Sequence, residues 1–129
     1  MSTAPGESFS SEMEGDAVAI TRDLIRIDTS NWGPDPRTVG EAEAAEYCAA
    51  RLRETGWDPE VIVTSNDRRR GVALRIPGVD SSAPALVVHG HLDVVPAVAS
   101  DWTHPPFGAE VDDGFIWGRG AVDMKNMDA

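Results

Sequence analysis

Cysteine is almost absent. Cys48 is the only one in 129 residues, so no intrachain disulfide and no cysteine-built zinc cage can form, and a reducing compartment is expected. Basic residues are scarce, 11 Lys and Arg against 22 Asp and Glu, which leaves a formal charge of -11. That charge repels phosphate backbones and anionic membranes, so neither nucleic acid nor a membrane is expected as a partner. No apolar run is long enough to span a bilayer, and Met1 to Ser11 lacks the basic start and apolar centre of a secretory signal. A soluble, cytoplasmic protein with a loose tail over residues 1–11 is the expectation.

Hydrophobic residues make up 41% and charged residues 26%, in separate short apolar runs, as in a globular chain with a core. The length allows one domain or part of one. From Glu12 to Ile27 the apolar positions recur with helical spacing while Arg22, Asp23 and Arg26 fill the wet side. The stretch from Asp28 to Pro36 is dense in turn formers, and Pro34 and Pro36 exclude a continuing helix. Thr38 to Glu54 is rich in Ala and Glu and is followed by Gly56 at a capping position, which predicts a second helix. Cys48 sits among its alanines and reads as a small packed residue without chemistry.

Glu60 to Thr64 and Gly71 to Ile76 read as two strands of a hairpin turned at Asn66 and Asp67, with Arg68, Arg69 and Arg70 as a solvated basic tip. Ala85 to Val88 is continuously apolar and too short for a helix, so it predicts a central strand buried on both faces. It runs into His89, Gly90 and His91, and ligands of open α/β sheets gather beyond the carboxyl ends of strands. A second, short hairpin is expected from Ala109 to Trp117 around Asp112, Asp113 and Gly114, with Phe115 and Trp117 in the core.

Three residues carry the chemistry. His91 and Asp93 are two apart, so in extended chain their side chains point to one side. A carboxylate on one ring nitrogen of a histidine prepares the other nitrogen for a metal. A bland strand-end pair fits the same spacing. Asp123 follows Gly118, Arg119 and Gly120, where the backbone can approach a ligand closely, and it is either a ligating carboxylate or the N-cap of a helix beginning at Met124. His89 reads as structural, and His104 reads as loop packing within Trp102 to Phe107.

In order, His91-Leu-Asp93-Val-Val-Pro96, then Asp101-Trp102 and Pro106-Phe107, then Gly118-Arg-Gly120-Ala-Val-Asp123-Met-Lys125 resemble the N-terminal part of the M20 metallopeptidases and deacylases. That family includes carboxypeptidase G-type enzymes, aminoacylases, acetylornithine deacetylases and succinyl-diaminopimelate desuccinylases. The resemblance implies an α/β fold, with a mixed sheet and flanking helices, and residues 12–129 as the N-terminal portion of a zinc-peptidase-like catalytic domain, incomplete. It implies that His91 ligates one zinc, that Asp93 orients His91 as part of the catalytic apparatus, and that Asp123 bridges two zinc ions, with cobalt or manganese also accepted by such donors. The bound metals would polarise the amide carbonyl and acidify water, and the substrates would be small peptides or N-acyl amino acids.

The family pattern also requires a consecutive glutamate pair, a later acidic ligand and a late histidine, and none follows Asp123 here. The expectation is a fragment without amidase activity, homodimeric only in a longer protein. The alternative is a scaffold or interaction module that keeps the fold without catalysis.

Overall fold

A computed structural model describes residues 5–129, with side chains from residue 14 onward. The elements are α1 (Pro5–Arg26), α2 (Ala42–Glu54), β1 (Glu60–Val63), β2 (Arg70–Ala73), a 3-10 turn (Ala99–Asp101), β3 (Glu110–Asp112), β4 (Phe115–Trp117) and α3 (Lys125–Asp128). These are helices with two small antiparallel sheets, an incomplete α/β arrangement. Residues 1–4 of the expected tail lie outside the described residues, and the remainder of 5–11 is continuous with α1. Among the described residues no helix is long and apolar enough to cross a membrane.

The centre of the molecule is small. Among the described residues, Leu24 and Ile25 of α1, Ala44, Ala45 and Ala49 of α2, Val94 and Ala109 form the buried hydrophobic core. The alanine face of α2 brings that helix close to the β1–β2 hairpin, because a methyl group leaves the backbones near one another. α2 begins at Ala42 rather than Thr38. Thr38 is engaged in the preceding loop, its hydroxyl accepting from Trp32 N–H and donating to Gly33 O, and Gly40 takes φ +92°, outside helical geometry. At the other end Gly56 (φ +87°) closes a Schellman motif. Its N–H donates to Arg53 O and Trp57 N–H donates to Leu52 O.

Strand β1 pairs with β2 from Glu60↔Ala73 to Val63↔Arg70. The ladder stops there, short of the expected Ile76, because the next residue of the first strand is Pro59, which has no N–H to donate. The arginines at the tip are not merely solvated. Arg68 donates to Thr38 O, Arg69 to buried Glu41, and Arg70 to Glu46, so the turn is tied to α2 and the loop before it. The β3–β4 hairpin forms as expected, with Asp113 (φ 49°) and Gly114 (φ 79°) both in the left-handed conformation of a two-residue turn.

Two expectations are overturned. Ala85 to Val88 is not a buried central strand: it pairs with nothing among the described residues, and Leu86, Val87 and Val88 are 89%, 77% and 86% exposed. A doubly buried strand needs a neighbour on each edge and a layer on each face, and none of the described elements is placed to supply them. Phe115 and Trp117 likewise are not core. They are 65% and 40% exposed on a hairpin that packs on one side only, and Trp117 stacks on His104 at 4.6 Å between ring centroids.

Candidate functional site

The loop after α1 and the segment after His91 run side by side. Ser30 and Val94 form a parallel bridge, Val94 N–H donates to Thr29 O, Asn31 N–H donates to Val94 O, and the Thr29 hydroxyl donates to Leu92 O at 2.6 Å. This ladder fixes the backbone on both sides of Asp93. The turn-forming composition of residues 28–36 thus shapes one wall of a cleft of about 370 Å³. Asn31, His91, Asp93, Arg119 and Asp123 lie along it.

The opposite wall is the Gly118–Asp123 segment. Gly120 (φ +89°) packs against Val94 and the Lys125 stem so closely that a Cβ would collide with both. Arg119 N–H donates to Pro106 O at 2.6 Å, and its guanidinium lies over Trp102 at 4.9 Å. The chain then turns through a cis Asp123–Met124 peptide into α3. Asp123 is not the helix cap: Met124 holds that position and no side chain caps α3.

The structure brings His91, Asp93 and Asp123 together. His91 Nε2 lies 3.1 Å from Asp123 Oδ1, while its Nδ1 lies 3.0 Å from Asp93 O and 3.2 Å from Asp93 Oδ1. Both ring nitrogens therefore face acceptors. Neutral imidazole has one N–H, and with that proton on Nδ1 the Nε2 lone pair would point at a carboxylate oxygen. Only a proton or another cation between Nε2 and Oδ1 relieves that opposition. Partial burial works against a charged ring, but the contacts to Asp93 and Asp123 prevail, and the His91 pKa is raised.

The spacing also suits a metal. Two ligands on a tetrahedral ion at ~2.0–2.1 Å stand about 3.3 Å apart, close to the observed separation. Among the described residues, however, no group of three or more His, Cys, Asp or Glu side chains converges on one point. His91 and Asp123 are one edge of a site rather than a cage.

His89 is exposed, and no hydrogen bond joins it to this pair among the described residues. His104 lies in its loop, its Nδ1–H donating to Glu110 Oε2 at 2.8 Å and its ring stacked on Trp117, away from the cleft. Cys48 is half-buried and burial pushes its thiol up to about 11, which suits an unreactive packed residue.

The contacts of two residues carried no warning in the sequence. Asn31 donates its amide N–H to Asp93 Oδ2 at 2.8 Å. Lys125 is completely buried, and its ammonium donates to Leu24 O and Ile27 O, both at 2.7 Å, capping the carbonyl end of α1. Its position two residues after Asp123 was visible, but its target lies about a hundred residues upstream, where neither pattern nor spacing points.

Residues 87–129 match the model of peptidase family M20/M25/M40. The succinyl-diaminopimelate desuccinylase of Methylorubrum populi is 43% identical over 89 residues, which cover 68% of this chain and 23% of that protein. A Methylorubrum extorquens protein of the same name is 42% identical over 109 residues, 84% of this chain and 26% of its own. That of Wolbachia pipientis wMel is 36% identical over 115 residues, 88% and 26% respectively. The chain spans about a quarter of the length of these curated relatives.

Proposed function

Because residues 87–129 place this chain in peptidase family M20/M25/M40, we propose that it contributes half of a zinc site to a hydrolase of acyl–amino acid amide bonds. The relatives named as succinyl-diaminopimelate desuccinylases point to an N-acyl amino acid with a second carboxylate as the substrate class. One observation carries the metal reading: His91 Nε2 and Asp123 Oδ1 oppose each other at 3.1 Å with Nδ1 already engaged by Asp93. Zinc bound there would supply Lewis acidity toward the amide carbonyl and toward water, and cobalt or manganese would suit the same donors.

The residues of this chain do the holding. Asp93 keeps the His91 proton on Nδ1 and so directs the Nε2 lone pair across the cleft. Asp123 sets Oδ1 against His91 while its side chain is 81% exposed, a placement that would let the carboxylate bridge two ions. No consecutive glutamates occur in the sequence, so a glutamate pair acting as general base and ligand comes from elsewhere. The 129 residues alone are therefore proposed to bind zinc weakly and to turn over no substrate. The cytoplasm is the proposed compartment, on the single cysteine and the acidic charge.

Zinc competition against a chromophoric chelator, with the chain and its His91→Ala and Asp123→Asn variants, tests this. The expected result is a weak affinity that falls at least about tenfold in either variant, with no hydrolysis of N-succinyl amino acids. Equal zinc affinity in His91→Ala would end the metal reading. Turnover by the chain alone would end the claim that it is only half of a site.

A further inference from the structure

We infer that Asn31 is a positioning residue for His91, acting through Asp93; the inference rests on the reading of His91 as a metal ligand. Asp93 has two oxygens, and each has its own task. Oδ1 lies 3.2 Å from His91 Nδ1, and Oδ2 accepts from Asn31 Nδ2 at 2.8 Å. A carboxylate held only by the histidine could rotate about its own side-chain bonds. The second bond, on the far oxygen, removes that freedom and fixes the plane in which Oδ1 meets the ring.

Asn31 is itself held at two points. Its N–H donates to Val94 O at 2.9 Å as part of the parallel bridge between Ser30 and Val94, and its Oδ1 accepts from Gly33 N–H at 2.9 Å. The Gly33 bond also fixes which end of the amide is which: with the oxygen occupied by a donor, the NH2 group is the end that faces Asp93. Gly33 takes φ +68°, so the turn that closes this bond depends on the glycine. The result is a chain of contacts from the turn after α1 through Asn31 and Asp93 to His91, ending at Asp123. Asn31 also lies along the same cleft as His91 and Asp123.

The two functions of the Asn31 side chain separate by substitution. Asn31→Asp keeps the oxygen that accepts from Gly33 and loses the donor to Asp93; Asn31→Ala loses both. The probe is zinc alone, titrated into the 129-residue chain, with the His91 ring nitrogens followed by nitrogen-15 NMR in the zinc-loaded and zinc-free states and the fold followed by circular dichroism. The expected result is a slowly exchanging Nδ1–H signal in the wild type that is lost in both variants, with a zinc affinity lower by about tenfold in Asn31→Ala. Asn31→Asp should retain the wild-type circular dichroism, and if Asn31→Ala does not fold, Asn31→Asp decides. A wild-type Nδ1–H signal in both variants, or in Asn31→Asp if only that folds, overturns the inference, whereas the metal reading stands if His91→Ala has lost zinc. Wild-type zinc affinity in His91→Ala overturns both.

Discussion

Lys125 offers the sharpest test of how the parts are held together. Its ammonium is buried at the end of α1, and burial pushes its pKa down from 10.5 to about 8, with Asp28, Asp128 and Cys48 pulling in the other direction. A drop of that size corresponds to roughly 3 kcal/mol of stability linked to one proton. The sign follows from which state holds the proton. Below about pH 8 both folded and unfolded chains are protonated and the full cost is present; between about 8 and 10.5 the folded chain releases the proton first, so stability rises with pH. Lys125→Met removes that cost together with two hydrogen bonds from a charged donor, each worth about 1.5–3 kcal/mol, and strands two carbonyls. The expected net loss is roughly 2 kcal/mol at pH 7, and the gap to wild type should widen by about 3 kcal/mol toward pH 10.5. Urea unfolding of both proteins across that range measures it. Cys48 and Tyr47, whose pKa values burial raises to about 11 and about 12, lose stability on the alkaline side in both proteins and largely cancel in the difference. A gap that stays constant or narrows with pH would refute the placement of the ammonium.

Two further outcomes follow from the same contacts. The Cys48 thiol, pushed up to about 11 from 9.0, should react with a disulfide reagent near pH 8 roughly a hundredfold more slowly in the folded chain than after denaturation, and equal rates would show it to be accessible. Arg69→Ala should cost more than Arg70→Ala, about 2 kcal/mol against at most about 1, because Glu41 is buried whereas Glu46 is half exposed. Thermal or urea unfolding distinguishes them, and equal losses would contradict the burial of Glu41.

The helices and the two hairpins were legible because each depends on local signals, whereas His91 and Asp123 came as a pair only from the resemblance, since local signals fit a strand-end pair and a helix cap as well. Alanine-rich helical spacing, Gly56 after the second helix and Asp113-Gly114 between apolar residues act within a few positions of one another. The failures share a cause. Ala85 to Val88 has the composition of a buried strand, but burial is supplied by neighbours, and no described element stands beside it. Phe115 and Trp117 alternate correctly for a strand, yet which face is covered depends on what packs against the hairpin. Arg68 to Arg70 look like any basic turn until Glu41, Glu46 and Thr38 are seen within reach.

The sequence by itself determined that His91 and Asp93 lie on one side of an extended chain, because a spacing of two suffices for that, and the resemblance of its motifs supplied His91 and Asp123 as candidate ligands. Tertiary structure alone decided that Asp123 faces His91 rather than capping α3, that Asn31 holds Asp93, and that Lys125 closes α1. Each of those contacts joins segments that are 32, 62 and 101 residues apart. At such separations no local preference acts, and the partner of a polar group is set by which buried donors and acceptors the fold leaves within hydrogen-bonding reach.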